Sequence, residues 1–257
     1  MDKSSVGGVV LAIAGIVAGL LMEGGNLGQI LQPTAALIVF GGTMGAVLLQ
    51  FPISTVLAAF GRLGRLFTAP RKHNDELIGL LVSFANKARR NGVVSLDSDL
   101  KSIENPFLRQ SLMLAVDGTE PSELRRIMQV SLDSTTESEE RLPAVFESAG
   151  GFSPTIGILG AVLGLIQVMQ HLDNIDEVGK GIAVAFVATI YGVGIANLFF
   201  LPFAGKMRIR IREEHLSREM MLEGVAPILE GMNPRMLEIK LAGFVDDPAQ
   251  IKKEKAA

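Results

Sequence analysis

The stretch from Gly150 to Pro202 reads GGFSPTIGILGAVLGLIQVMQHLDNIDEVGKGIAVAFVATIYGVGIANLFFLP. Two apolar segments flank a short acidic turn holding Asp173, Asp176 and Glu177. No Asp, Glu, Lys or Arg occurs from Ser148 to Leu172 or from Gly181 to Gly205. Each segment is long enough to cross a bilayer as a helix. Small residues recur at helical spacing in both: Gly157, Gly160 and Gly164 in the first; Gly181, Ala185, Thr189, Gly192 and Ala196 in the second. Such stripes let helices approach closely in lipid. Two uses are open: packing the chain's own helices together, or receiving a partner helix. Pro154 is expected near the start of one helix and Pro202 near the end of the other.

Outward from this stretch, residues 4–22 form another uncharged segment. Lys3 beside Asp2 makes a poor secretory n-region, and a second apolar block follows, so this reads as a retained first span. A polar turn from Glu23 to Gln32 leads to a second span from Pro33 to Pro52. Residues 62–147 differ sharply, with 12 Lys/Arg and 13 Asp/Glu. Leu77, Leu80, Leu81, Phe84 and Ala88 recur at helical spacing, which predicts an amphipathic helix from Asn74 to Arg90 ended by Gly92. Asn105-Pro106 opens a second helix running to Asp117-Gly118. A third starts near Pro121 and leads into the third span, with Pro143 as a bend. Beyond Lys206 a charged helix leaves the membrane. Gly224, Pro227 and Gly231 are expected to break it, and Asn233-Pro234 starts a last short helix. The terminal IKKEKAA is expected to be disordered.

The expected fold is thus all-α: four transmembrane helices, a large cytoplasmic helical region between the second and third, and a cytoplasmic C-terminal tail. The expected divisions are 1–61 (spans 1 and 2), 62–147 (cytoplasmic loop domain), 148–205 (spans 3 and 4) and 206–257 (tail). Of 24 Lys and Arg, 22 lie in 62–147 or beyond 205. The positive-inside rule therefore places both termini, the loop and the tail in the cytoplasm.

Several chemistries are excluded. A net charge of −3 and no basic run with interleaved aromatics argue against nucleic acid. With no Cys there is no disulfide or thiol chemistry, and His73, His171 and His215 lack metal-ligand spacing, so neither a metal nor a cofactor is expected. GGTMG at Gly41–Gly45 lacks the Lys-Ser/Thr ending of a phosphate loop. No nucleophile–base pair stands out. The spans supply hydroxyls at Ser153, Thr155, Thr189 and Tyr191 but no acid. If an ion crosses here, a partner helix must bring the carboxylate.

The segments PTIGILGAVLGL (Pro154–Leu165), AVAFVATIYGVGIANLFFLP (Ala183–Pro202), ARRNGVVSLD (Ala88–Asp97), LAVDG (Leu114–Gly118) and GMNPRMLE (Gly231–Glu238) together resemble the A subunit of the flagellar motor stator, the MotA/PomA family. That family is distantly related to the ExbB and TolQ energy transducers. The resemblance implies a multi-pass protein of the bacterial inner membrane that is not an enzyme. It implies a homopentameric ring around two single-span B subunits (MotB/PomB-like), each bringing a transmembrane Asp. Ion flow turns the ring, whose cytoplasmic loops push a rotor switch-complex protein (FliG-like).

Residue by residue, Pro154 and Pro202 match the prolines that couple ion passage to movement. Thr189 matches a pore-facing Thr, and Ala161 and Tyr191 join the expected ion path. Gly157, Gly160, Gly164 and Gly192 are expected to pack helices. Arg89, Arg90 and Asp97 match charged positions that meet the rotor, Asp97 standing where many relatives carry Glu. Sodium-driven members resemble one another in a Thr of the third span and a Thr pair of the fourth. Here the positions hold Ala161 and Ala188-Thr189. A methyl cannot ligate sodium, which favours protons over the sodium alternative. The other alternative is an ExbB/TolQ-like transducer.

Overall fold

A computed structural model describes residues 3–68 and 74–244, apart from the side chains of Lys3 and Arg65. The described residues form eight α-helical elements in chain order: α1 Lys3–Met22, α2 Pro33–Gln50, α3 Ile53–Leu66, α4 Asn74–Asn91, α5 Pro106–Val116, α6 Pro121–Gln170, α7 Ile175–Leu229 and α8 Pro234–Ala242. Two stretches of 3-10 helix, Leu27–Ile30 and Val93–Ser102, complete them. Among the described residues there is no strand. Helices α1, α2, α6 and α7 each contain a stretch apolar and long enough to span a membrane. The expected terminal disorder falls outside the described residues.

The contacts divide the chain into two compact units, 3–68 with 139–209 and 74–138 with 210–244. α6 and α7 run without interruption through residues 147/148 and 205/206, where a change of charge suggested boundaries. Backbone hydrogen bonding in a helix ignores the polarity of its side chains.

In the first unit Ala35 and Val39 of α2 bury against Val187 and Ala188 of α7. α2 contains a π-helical turn, Leu37–Gly41, and α7 another, Ala196–Phe200. Phe146 is 1% exposed and sits among Phe60, Phe200 and Phe203, with ring centroids 5.2, 6.4 and 6.3 Å away. Beside it lies a cavity of about 60 Å³ walled by Phe40, Met44, Val47, Val145 and Phe200, with Thr43 as its polar residue. Thr43 is 3% exposed and its hydroxyl has no hydrogen-bond partner. Arg62 of α3 donates to Glu139 of α6 at 2.7 Å.

Pro154 lies 33 residues inside α6 rather than near a helix start. Pro202 follows the π-helical turn inside α7, which continues for 27 more residues rather than ending there. A proline breaks one i→i−4 bond and crowds the carbonyl four residues back. Beside Pro202 the π-turn already shifts the hydrogen-bond ladder, and such bulges relieve that conflict.

In the second unit α4 buries Ile78, Leu81, Phe84, Ala85 and Ala88 against Leu108 and Leu112 of α5, Leu124 and Met128 of α6, and Met220 and Val225 of α7. Leu80 is exposed instead, so the buried stripe is turned slightly from the expected one. Asn105 caps α5 by accepting from the Phe107 and Leu108 amides at 2.9 and 3.2 Å. Asn233 caps α8 by accepting from Arg235 N–H at 2.9 Å.

Gly224 and Pro227 do not break α7. A Cβ on Gly224 would come within 2.6 Å of Leu81 Cδ1, so this glycine makes a slot for Leu81. Gly231 does end the helix, with φ at 73°. Its amide bonds to Ile228 O at 3.1 Å and that of Met232 to Pro227 O at 3.0 Å. This is a Schellman stop, which needs a residue comfortable at positive φ.

Candidate functional site

Residues 148–172 of α6 and 181–205 of α7 lie together, and their small residues face each other. A Cβ on Gly192 would approach Ser153 O to 2.5 Å and Gly157 Cα to 3.0 Å. One on Gly164 would meet Gly181 O at 2.7 Å, and one on Gly157 would meet Ala188 O at 2.9 Å. One on Gly160 would lie 2.8 Å from Ala188 Cβ. Ser153 is fully buried and donates to Gly192 O at 2.9 Å, tying the two helices together. These stripes are therefore filled by the chain's own helices, which was one of the two uses open from sequence. Outside the stripes these helices carry large exposed apolar side chains, among them Leu159, Leu163 and Phe186.

Pro154 is half-buried and Pro202 exposed. Close packing between α6 and α7 occurs near both. Gly150, one turn before Pro154, packs so closely on Leu201, next to Pro202, that a Cβ there would lie 2.6 Å from Leu201 Cδ2.

The hydroxyls have local duties. Thr189 is half-buried and donates to Ala185 O at 3.2 Å, the usual back-bond of a helical Thr. Tyr191 donates to Ile30 O and accepts from Gln32 N–H at 3.3 Å, while its ring lies 6.0 Å from that of Phe40. It fastens the turn before α2 onto α7. Thr155 is exposed and bonds Phe152 O at 2.7 Å. Ala161 is half-buried. Ala188 is fully buried beside Gly160, so its small size has a packing cause. Neither apolar stretch contains an Asp, Glu, Lys or Arg.

The second cluster of expected site residues lies in the other unit. Arg89 and Arg90 are exposed on the last turn of α4, where cations favour the helix's negative end. Asp97 is exposed on the 3-10 stretch, which is pinned by fully buried Leu96. Lys87 holds that stretch to α4, donating to Asp99 at 2.6 Å and to Ser98 Oγ at 3.0 Å. Among the described residues, Arg89, Arg90 and Asp97 make no ion pair with one another. The three present mixed charge on one supported edge, and none is consumed by the unit's own packing.

Sequence reasoning missed three features: the two π-helical turns, the cavity at Thr43, and α3 as a separate helix. π-turns have no periodic signature, and Thr43 sits in a glycine-rich apolar run that marks only a span. The run Ile53–Leu66 did carry a signal, since its arginines are spaced one turn apart on an otherwise apolar helix.

Residues 99–220 match the family model of the MotA/TolQ/ExbB proton channel family, and residues 6–92 match that of the Motility protein A N-terminal region. Motility protein A of Bacillus subtilis (strain 168) is 34% identical, over 98% of this chain and 94% of that protein. The solved flagellar MotAB stator complex from Bacillus subtilis contains a chain with TM-score 0.89 and 34% identity, each chain covered completely. The MotAB structure of C. jejuni gives TM-score 0.90 at 33% identity, covering 96% of this chain and 98% of that one.

Proposed function

Because this chain belongs to the MotA family, we propose that it is the ring-forming A subunit of a flagellar stator, turning an inward proton flow into torque on the rotor. The observation that carries this is a pairing: a match to motility protein A along nearly the whole chain, and two apolar stretches with hydroxyls but no Asp, Glu, Lys or Arg. A channel complete in itself needs an acid in the membrane. A B-type subunit of the MotB/PomB kind supplies it as a transmembrane Asp. Several copies of this chain, five by family resemblance, surround two such subunits.

Both termini, residues 62–147 and the tail lie on the cytoplasmic side of the inner membrane, as the distribution of Lys and Arg favours. Pro154 and Pro202 pass the ion step into movement, as the family resemblance implies. Thr189 lines the ion path. Arg89, Arg90 and Asp97 engage a FliG-like rotor protein, where exposed charges set register without permanent grip. The match of residues 6–92 to the Motility protein A N-terminal model favours a stator over an ExbB/TolQ-like transducer. For the ion, Ala188 has its packing explanation, so the preference for protons rests on the methyl at Ala161.

Swimming speed tests the function, in a stator-deleted strain carrying this chain and its cognate B subunit. Motility that ignores sodium and stops with a protonophore is expected. Motility that follows sodium while the proton gradient is collapsed overturns the ion. No motility from a fully assembled complex overturns the stator. Asp97→Arg is expected to cut torque at least several-fold while the purified complex keeps its size; loss of assembly removes Asp97 from the rotor surface.

A further inference from the structure

The short helix α3, ISTVLAAFGRLGRL, follows the span in α2 after only Phe51 and Pro52. Phe51 is extended, with φ −122° and ψ 144°, which breaks the helix before α3 begins. At 14 residues α3 is about 21 Å long, too short to cross a hydrocarbon core of roughly 30 Å. Its middle and its end nevertheless meet the same border of the apolar stretches. The Phe60 ring lies 5.2 Å from that of Phe146, just outside the uncharged stretch of α6. The Phe67 ring, immediately past α3, lies 6.0 Å from that of Phe203, near the end of the uncharged stretch of α7. The Phe146 and Phe203 rings are themselves 6.3 Å apart. At 1.5 Å per residue Phe60 and Phe67 are separated by about 10 Å of chain, and that length runs along the border rather than away from it.

At about 100° per residue α3 has three sectors. Val56, Ala59 and Leu66 form the buried one. Ile53 and Leu57, one turn apart, are 66% and 65% exposed, and Phe60 continues their stripe at 37%. Leu49, on the last turn of α2, is also exposed, so exposed apolar residues run on from the span into α3. The third sector holds exposed Ala58 and also Arg62, which donates to Glu139 at 2.7 Å. Glu139 lies two turns from Phe146 on the charged side of α6, so the guanidinium reaches away from the apolar stretch.

The geometry points to an interfacial helix: we infer that α3 lies in the membrane surface, with Ile53 and Leu57 against lipid acyl chains, Val56 and Ala59 against the protein, and Ala58 toward water. In water, Ile53 and Leu57 leave apolar area in an unfavourable medium, and hydrocarbon at the border removes it. Helices of this kind bury their apolar face about 5–10 Å into the boundary between headgroups and acyl chains. An arginine whose stem starts at the border and whose charge reaches the aqueous side fits that depth. The inference needs only that the four apolar helices sit in a membrane, and it does not rest on the stator assignment. Naming the surface as cytoplasmic rests on the proposed orientation.

The chain contains no Cys, so a nitroxide can be attached at one chosen position. Ile53→Cys, Leu57→Cys and Ala58→Cys are each placed in the complete A–B complex, reconstituted in vesicles of phosphatidylethanolamine and phosphatidylglycerol. Signal from the parent complex treated with the same label is subtracted, and only complexes of parental size are compared. Ile53 and Leu57 are exposed and independent, so one assembled variant of the two suffices. Collision of the nitroxide with oxygen, which concentrates in hydrocarbon, is measured against collision with a water-soluble nickel chelate. Expected at Ile53 and Leu57 is a several-fold excess of oxygen over nickel, with the order reversed at Ala58. An excess of nickel at Ile53 or Leu57 puts the stripe in water and overturns the inference. Low collision with both reagents shows that protein, such as a second copy of this chain, covers α3, and overturns it equally. An excess of oxygen at Ala58 as well sinks the whole helix into hydrocarbon and overturns its place at the surface. The readout is accessibility without rotation, so it fails separately from the stator assignment.

Discussion

In residues 148–205 the tightest packing sets backbone against backbone, with Gly157 on Ala188 and Gly192, and Gly192 on the Ser153 carbonyl. In residues 74–138 and 210–244 it sets large side chains against each other: Leu81, Leu96, Leu108, Leu112, Leu124, Met128 and Met220 are all less than 2% exposed. The difference follows from the solvent. In water, burying a Leu or Met removes apolar area from an unfavourable medium, so bulky residues stabilise a core. In lipid that gain is absent, and helices associate by close contact and hydrogen bonds, which small residues permit. Adding a methyl should therefore damage the first region, and removing methyls the second.

The largest expected effect comes from emptying the side-chain core. Leu112→Ala should destabilise by about 2–5 kcal/mol, read as a fall in the unfolding midpoint of the purified complex in denaturant. A change under about 1 kcal/mol would mean that this core is not what holds the charged region together.

Gly192→Ala probes the other mode. The new Cβ meets the Ser153 carbonyl, which cannot swing aside, so a loss of about 1–3 kcal/mol or reduced abundance in the membrane is expected. Gly224→Ala is the matched test in the side-chain core. There the nearest atoms are the tips of Leu81, which can change rotamer, so it should cost less than Gly192→Ala. The reverse order would break the contrast. Gly194, with nothing within 4 Å, supplies the control, and its Ala variant should behave as the parent.

Thr43→Val sharpens the comparison from inside the first region. The hydroxyl is buried and unpartnered in an apolar cavity, and Val keeps its shape. A gain of about 1 kcal/mol in thermal stability is expected. A loss would show that the hydroxyl acquires a partner in the assembled complex.

The smallest effect is electrostatic and lies outside the apolar stretches. Partial burial pushes the Glu223 carboxyl up, but its hydrogen bond from Lys240 and the charge of Arg125 outweigh this and hold it below the usual carboxylate range. A lowered folded-state pKa contributes stability above the unfolded value of about 4.3. That contribution is lost as pH falls through the folded value. Glu223→Gln should flatten this acid limb and cost at most about 1 kcal/mol at neutral pH. An unchanged limb in a pH series of unfolding midpoints would show that the pair contributes nothing.

Much was legible because local rules are strong. Length and hydropathy set the four apolar helices. Asn105-Pro106, Asn233-Pro234 and Gly231 carried their caps and stops in two or three adjacent residues. Gly224 and Pro227 failed as breakers because tertiary packing outweighs propensity: the slot for Leu81 is worth more than the helix former it displaces. Pro154 and Pro202 misled for a related reason. Proline ends an isolated helix, but long helices held by neighbours on both sides carry it.

By itself, then, the sequence determined which segments are apolar enough to span, where the charge collects, that no Asp, Glu, Lys or Arg falls within residues 148–172 and 181–205, and which family motifs are present. These depend on composition and on spacings of a few residues. Only the tertiary structure decided that the small-residue stripes of α6 and α7 close on each other and that Tyr191 clasps the turn before α2. It alone showed that Gly150 packs on Leu201. Each of those pairs residues far apart in the chain, and the pairing is fixed by how whole helices pack, which no local pattern records.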